Sequence, residues 1–197
     1  MSMLKGDYRI MFNESRYRTE YSRLRKEYAA KMTGKVLDVG GGVGAYLPYF
    51  GSKDVTVIDI SQEALDRLDH DKKVLCDACH TPFADNTFDN VWACGVCCFL
   101  DIDEFINEAR RVGKRGGKIV IELPNPDTPW DKYKKILGMN IWNNYYKEFE
   151  TFRMYKISEL RKYGNVTGEV RFLPAILDKM IRNKPKYWHT IILEVEI

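Results

Sequence analysis

The sequence predicts an open α/β sheet, doubly wound, with helices on both faces. Between Lys35 and Leu123 short β-branched runs alternate with amphipathic stretches. Strand, helix and strand in regular order imply parallel pairing through right-handed crossovers. The first run empties into Gly40, Gly41, Gly42 and Gly44, and ligands in such sheets bind beyond the carboxyl ends of the strands. The last third offers two more strand patterns, expected as an antiparallel pair at the sheet edge.

The stretch from Tyr8 to Lys31 reads as a helix because Tyr17, Tyr21, Leu24 and Tyr28 recur at helical spacing, with Arg16, Arg18, Arg23, Arg25 and Lys26 around them. Its aromatic stripe is expected to dock on the core. Strands are expected at Lys35–Val39, Asp54–Ile58, Lys73–Cys76, Phe88–Cys94 and Lys118–Leu123. Helices are expected at Ala45–Phe50, Gln62–Asp69 and Asp103–Val112, the second capped by Ser61 with Glu63 beside it. Gly116-Gly117 is expected to break the chain before the fifth strand. Pro124, Pro126 and Pro129 then open an aromatic-rich stretch. After it come a short helix at Ser158–Tyr163, a strand at Val166–Leu173, a helix at Ala175–Arg182 and a long strand from Tyr187 to Ile197.

The chain has 197 residues, which at roughly 100–200 residues per domain makes one domain. Hydrophobic residues form 45% and charged residues 30%, a balance that builds a core and excludes a disordered chain. The longest nearly apolar run, Val91 to Leu100, is about half the ~20 residues a bilayer demands, and Met1 to Phe12 carries no export segment. A soluble, cytoplasmic protein is expected. The formal charge is +3, unevenly spread: residues 1–35 carry nine basic and four acidic groups, 36–121 nine and fourteen, and 122–197 thirteen and ten. The basic flanks either meet an anionic partner or are ordinary solvated faces.

The function rests on Val36-Leu37-Asp38-Val39-Gly40-Gly41-Gly42-Val43-Gly44. Glycines allow backbone angles closed to other residues and let the main chain approach a ligand. A helix directly after the turn would present free N–H groups and a positive dipole end. Gly40, Gly42 and Ala45 also satisfy the G-x-G-x-x-(G/A) dinucleotide pattern, a weak signal alone. Asp38 would repel a pyrophosphate yet attract the ammonium of an amino acid. Asp59, ending the second strand, suits a ribose diol, and Asp77, after the third, suits an adenine amino group. A ligand with an amino acid at one end and adenosine at the other would use all three. Each has a structural alternative: Asp38 caps the turn, Asp59 is a turn acid, or Asp77 caps a loop.

With these motifs the sequence resembles the class I S-adenosylmethionine-dependent methyltransferases. The likeness covers residues 35–123: the glycine motif, Val57-Ile58-Asp59-Ile60-Ser61, Cys76-Asp77-Ala78 with Pro82-Phe83 and Phe88-Asp89-Asn90-Val91, and Glu108-Ala109-Arg110-Arg111-Val112 through Gly116-Gly117-Lys118. The resemblance implies a Rossmann-like seven-stranded sheet ordered 3-2-1-4-5-7-6, mostly parallel with an antiparallel last strand. It implies S-adenosylmethionine as cofactor and S-adenosylhomocysteine as product. Asp38 and Gly40 would border the methionine end with Gly41, Gly42 and Gly44 forming the turn. Asp59 and Ile60 would meet the ribose, Asp77 and Ala78 the adenine, and the Cys94-Gly95 backbone the methionine ammonium. Residues 1–34 would be a helical lid, 35–123 the cofactor core and 124–197 the substrate side and final strands. Two departures stand out. Lys114-Arg115-Gly116-Gly117 replaces the family's common Lys-Pro-Gly-Gly. The Asn/Asp-Pro-Pro-aromatic motif of many amino-group methylating enzymes is absent after the fourth strand, where Cys94-Gly95-Val96-Cys97-Cys98 stands; Leu123-Pro124-Asn125-Pro126 follows the fifth instead.

Cys76-Asp77-Ala78-Cys79 and Cys94-Gly95-Val96-Cys97 look like zinc pairs. In the expected sheet two strands separate Cys76 from Cys94, roughly 14 Å at ~4.8 Å per step, which zinc–sulfur bonds of ~2.3 Å cannot close. The haem motif Cys76 to His80 would need export. No metal is expected, and the thiols are read as buried or pocket-lining, with Cys97 and Cys98 facing the methyl-transfer pocket. No sure base is visible; His80 and Tyr146 are the candidates, against a structural role for each. A small-molecule acceptor is favoured over RNA such as tRNA, whose claim rests on aromatics interleaved with Lys132, Lys134, Lys135, Arg153 and Lys156. Rival classes are a nicotinamide oxidoreductase, against which Asp38 argues, and a non-catalytic cofactor-binding module.

Overall fold

The computed structural model describes residues 23–129, 136, 152–169, 184, 185 and 188–197. Within them lie strands β1 (Lys35–Val39), β2 (Asp54–Asp59), β3 (Lys73–Leu75), β4 (Phe88–Cys94), β5 (Gly113–Pro124), β6 (Asn165–Glu169) and β7 (Thr190–Glu196). They form one sheet in the order β3-β2-β1-β4-β5-β7-β6. The first five pair in parallel, and β7 runs antiparallel to both β5 and β6. This is the order and polarity that the resemblance implies.

Among the described residues four helices accompany the sheet: α1 (Arg23–Ala30), α2 (Gln62–Asp66), α3 (Ile102–Val112) and α4 (Ile157–Leu160). Strand alternation sorts the core into two layers. One sheet face carries Val36, Val57, Trp92, Val120 and Ile192 against Tyr28, Ala29 and Met32 at the end of α1 and beyond it, with Tyr46 and Phe50 from the loop after β1. The other carries Leu37, Val91, Ala93, Ile121 and Leu193 against Phe105, Ile106 and Ala109 of α3. The apolar positions 102, 105, 106, 109 and 112 of α3 keep one face buried. Asp101 starts that helix by accepting the Asp103 and Glu104 amides at 3.0 Å, and Arg110 and Arg111 close it against the dipole. Ser61 caps α2 as expected, accepting the Ala64 amide at 3.2 Å.

Four expectations change. Residues 42–49 form consecutive turns rather than a helix, joined by three-residue bonds such as Gly44 N to Gly41 O at 2.8 Å and Leu47 N to Gly44 O at 3.1 Å. Pro48 has no N–H to give and disfavours helical angles at Leu47, so no helix dipole acts at the glycine bend. Gly116-Gly117 does not break the chain before β5 but sits inside it. Pairing jumps from Phe88↔Gly113 to Asn90↔Lys118, and Gly116, at φ +87°, absorbs the extra residues as a bulge. Strand β6 begins one residue early and residues 170–183 lie outside the described part, as do the expected helix at Ala175–Arg182, most of the N-terminal helix and Tyr187. Cys97 and Cys98 do not line a pocket; they form a short 3-10 turn with Phe99 and are buried in the α3-side core. Burial there pushes the Cys97 thiol well above its ordinary range. Among the described residues no helix is long and apolar enough to cross a membrane.

Candidate active site

The bend after β1 sits at the carboxyl end of the sheet. Gly40, Gly42 and Gly44 take φ of 62°, 54° and 77°, angles that side chains rarely adopt. A Cβ on Gly40 would lie 2.7 Å from the Val96 side chain, and one on Gly41 2.8 Å from Asp38 Oδ2. Only glycine lets the main chain pass so close to that carboxylate. Gly41 N donates to Ile58 O at 3.2 Å, which pins the bend to β2.

Asp38 is 1% exposed, and its Oδ2 has no hydrogen-bond partner among the described residues. Burial, and then the neighbouring Asp59, push its carboxyl up to about 8. Buried polar atoms are nearly always paired, so an orphaned carboxylate oxygen beside a glycine bend marks a place for a donor. Its ladder partner on β4 is Trp92, whose indole Nε1 is likewise unpartnered among the described residues. Trp92 is held by ring contacts with Tyr46 at 5.1 Å and Phe50 at 5.9 Å.

Asp59 spans the gap between β2 and the bend. Its Oδ2 accepts the Gly42 amide at 3.0 Å and its Oδ1 the Ser61 amide at 2.9 Å. Burial raises its carboxyl while these amide bonds pull the other way. Each oxygen retains acceptor capacity, since a carboxylate has about four lone-pair sites. Ile60 beside it is 39% exposed, an apolar surface at the mouth. Asp77 is exposed and caps its own turn, Oδ1 accepting the Cys79 amide at 2.9 Å; Ala78 in that turn is half-buried. His80 follows, exposed, with Nε2 3.4 Å from Glu104 Oε1 of α3. Tyr146 lies outside the described residues.

The loop between β3 and β4 is tied down by two residues of the Glu108–Val112 motif. Glu108 Oε1 accepts from the Thr81 amide at 2.8 Å and its hydroxyl at 2.6 Å. Arg111 bonds both Glu108 oxygens, the Phe83 carbonyl and Asp85. The Arg111 guanidinium and the Thr81 bonds hold the Glu108 carboxyl down at about 2. The motif therefore clamps a loop.

At the end of β4 a second polar group assembles. Cys94 Sγ lies 2.8 Å from the Tyr46 hydroxyl and 3.4 Å from Glu122 Oε2. Glu122, directly across the ladder from Cys94, is ion-paired with Arg25 of α1, and both are almost fully buried. Burial lowers the Arg25 guanidinium, but Glu122, by charge and hydrogen bond, together with Cys94 and Tyr46 raises it further, so it stays charged. Sequence reasoning missed this group. Glu122, alone inside Ile119-Val120-Ile121-Glu122-Leu123, was the available signal, because a carboxylate in an apolar strand needs a buried partner. Arg25 is one of seven cations between Tyr8 and Lys31, and nothing in the sequence sets it apart.

Asn125 of the displaced Asn-Pro motif is saturated structurally. Its side-chain amide donates to the Pro185 and Trp188 carbonyls at 3.2 and 2.8 Å, tying the exit of β5 to the start of β7. Among the described residues no group of three or more His, Cys, Asp or Glu is placed to hold a metal.

A methyltransferase-domain family matches residues 37–121, the span of the acids and the bend. The chain belongs to the class I S-adenosylmethionine-dependent methyltransferases. Among its relatives, an uncharacterized protein of Methanocaldococcus jannaschii is 31% identical over 80% of this chain and 67% of its own length. The ubiquinone/menaquinone biosynthesis C-methyltransferase UbiE of Cereibacter sphaeroides is 30% identical over 66% of this chain and 60% of its own. The chain thus spans about two thirds or less of the curated relatives it matches. A SAM-dependent methyltransferase of Thermotoga maritima superposes with a TM-score of 0.70 over 96% of this chain and 95% of that one, at 13% identity. The methyltransferase shares the fold of that neighbour, and its cofactor is S-adenosylmethionine.

Proposed function

We propose that this methyltransferase holds S-adenosylmethionine across the carboxyl ends of β1, β2 and β4 and delivers the methyl group to a small-molecule acceptor. The observation that carries the first half is the buried, unpartnered Asp38 oxygen beside the glycine bend, which fits the ammonium of the cofactor's amino-acid end. Asp59, already oriented by the Gly42 and Ser61 amides, has lone pairs left for the ribose hydroxyls. Gly40, Gly41, Gly42 and Gly44 keep the main chain close, Ile60 offers an apolar edge, and Asp77 with Ala78 borders the adenine. The Cys94-Gly95 backbone lies where the methionine end would meet β4.

The cofactor supplies a sulfonium methyl whose leaving group departs neutral, so the protein need not protonate it. The chain's contribution is to align the reactants and exclude water. No general base is assigned. His80 stands at the surface beside Glu104, a position suited to an ion pair, and the buried Tyr46 hydroxyl is pushed well above its usual range, which disfavours its ionisation. The small-molecule acceptor is supported by the UbiE relatives, named for quinone biosynthesis, which match up to two thirds of this chain.

Incubation with methyl-labelled S-adenosylmethionine and a fractionated extract of the source organism tests this. Label is expected in the small-molecule fraction. Label confined to RNA, together with tRNA binding that survives moderate salt, would replace the acceptor assignment.

A further inference from the structure

We propose that Glu122, held by Arg25, is the carboxylate by which the site prefers the methylated sulfonium cofactor to its demethylated thioether product. The inference rests on the reading above, that the cofactor's methionine end lies at Cys94-Gly95.

Glu122 is 1% exposed and sits across the ladder from Cys94, one residue before Gly95. Its two oxygens face different neighbours. Arg25 Nη2 bonds Oε1, whereas Oε2 is 3.4 Å from the Cys94 thiol. A Cβ placed on Gly95 would meet one described atom within 4 Å, and that atom is Glu122 Oε2 at 3.9 Å. The ion pair is therefore a dipole with its guanidinium toward α1 and its carboxylate toward Cys94 and Gly95.

Stability does not explain such a pair. Desolvating two charges offsets their attraction, and an apolar pair of similar volume is often as stable or more so. Arg25 gives the Glu122 carboxyl a buried counter-charge that Asp38 lacks. A carboxylate paired in this way has a specific target. S-adenosylmethionine and S-adenosylhomocysteine share the ammonium, ribose and adenine and differ in the sulfonium charge and its methyl group. Asp38, facing the shared ammonium, weights both ligands alike. Glu122 weights only the charged one, so product is held less tightly than substrate and the site is not blocked by its own turnover.

The test is calorimetric titration of S-adenosylmethionine and S-adenosylhomocysteine, separately, into wild type, Glu122→Gln and Arg25→Met/Glu122→Gln. The expected result in Glu122→Gln is a fall, on the order of fivefold, in the ratio of product Kd to substrate Kd, because only the sulfonium ligand weakens. Should Glu122→Gln fail to fold with Arg25 left unpaired, the double variant, which removes both charges, must show the same fall. Both ligands binding the variants with an unchanged ratio, or weakening equally, overturns the proposal and leaves the cofactor assignment standing. Failure of either ligand to bind wild type overturns the cofactor assignment instead, and this proposal with it.

Discussion

The two faces of the sheet are built from different materials. The face under α3 is packed with Leu37, Ile121, Phe105 and Ile106, and its three buried thiols, Cys79, Cys97 and Cys98, pack as small apolar groups. The face under α1 alternates apolar positions with charge: Val36 is followed two residues on by Asp38, and Val120 by Glu122. Strand periodicity puts both acids on the α1 side, at the carboxyl ends where the sheet meets its ligand. One face holds the fold and the other holds buried charge that the fold alone does not call for. Substitutions at Phe105 and its apolar neighbours should change stability and spare binding, whereas substitutions at Asp38 and Glu122 should change binding.

The largest expected effect is on the apolar face. Phe105→Ala should lower unfolding free energy by about 3–5 kcal/mol through the cavity it leaves, measured by urea denaturation, with cofactor Kd unchanged. A parallel loss of affinity would blur the division between faces.

Asp38 sharpens the other side through pH. Its native carboxyl is raised from 3.8 to about 8, so the native state binds the extra proton between those values. The stability this group contributes is complete below about pH 4 and is lost as pH rises through about 8. Asp38→Asn removes that loss. Its melting temperature should therefore gain on wild type as pH is raised from about 5 to about 9, and a gap independent of pH would mean that Asp38 is ionised or paired.

A smaller effect is expected where a motif turned out to be a clamp. Arg111→Met should lower the urea midpoint modestly by releasing Glu108 and the Phe83 carbonyl. Because the Glu108 carboxyl is lowered from 4.5 to about 2, its contribution is present above about pH 4.5 and disappears as pH falls through about 2. The wild-type advantage over Arg111→Met should shrink over that acid range in denaturation curves taken at successive pH values.

Much of the fold was legible because period and punctuation agree. β1 and β4 begin and end where alternation and flanking turns place them, and α3 starts one residue early because Asp101 caps it. Where the sequence misled, a local signal was weaker than its surroundings. The apolar spacing of Ala45 to Phe50 suggested a helix, but Gly44 and Pro48 leave it as turns. Gly116-Gly117 looked like a stop and is a bulge because β7 supplies pairing on the far side, with Gly116 N donating to Ile197 O at 3.1 Å. The glycine bend and Asp38 could be read from spacing alone. The Arg25–Glu122 pair could not, since it joins positions 97 apart through tertiary packing.

Calorimetric titration of S-adenosylmethionine into wild type and Asp38→Asn at neutral pH decides whether Asp38 holds the cofactor. Saturable binding at one site is expected in wild type, with an affinity at least about tenfold lower in a fully folded Asp38→Asn, roughly 1.4 kcal/mol of lost pairing. Equal affinity in the two proteins, or no binding by wild type, would contradict it.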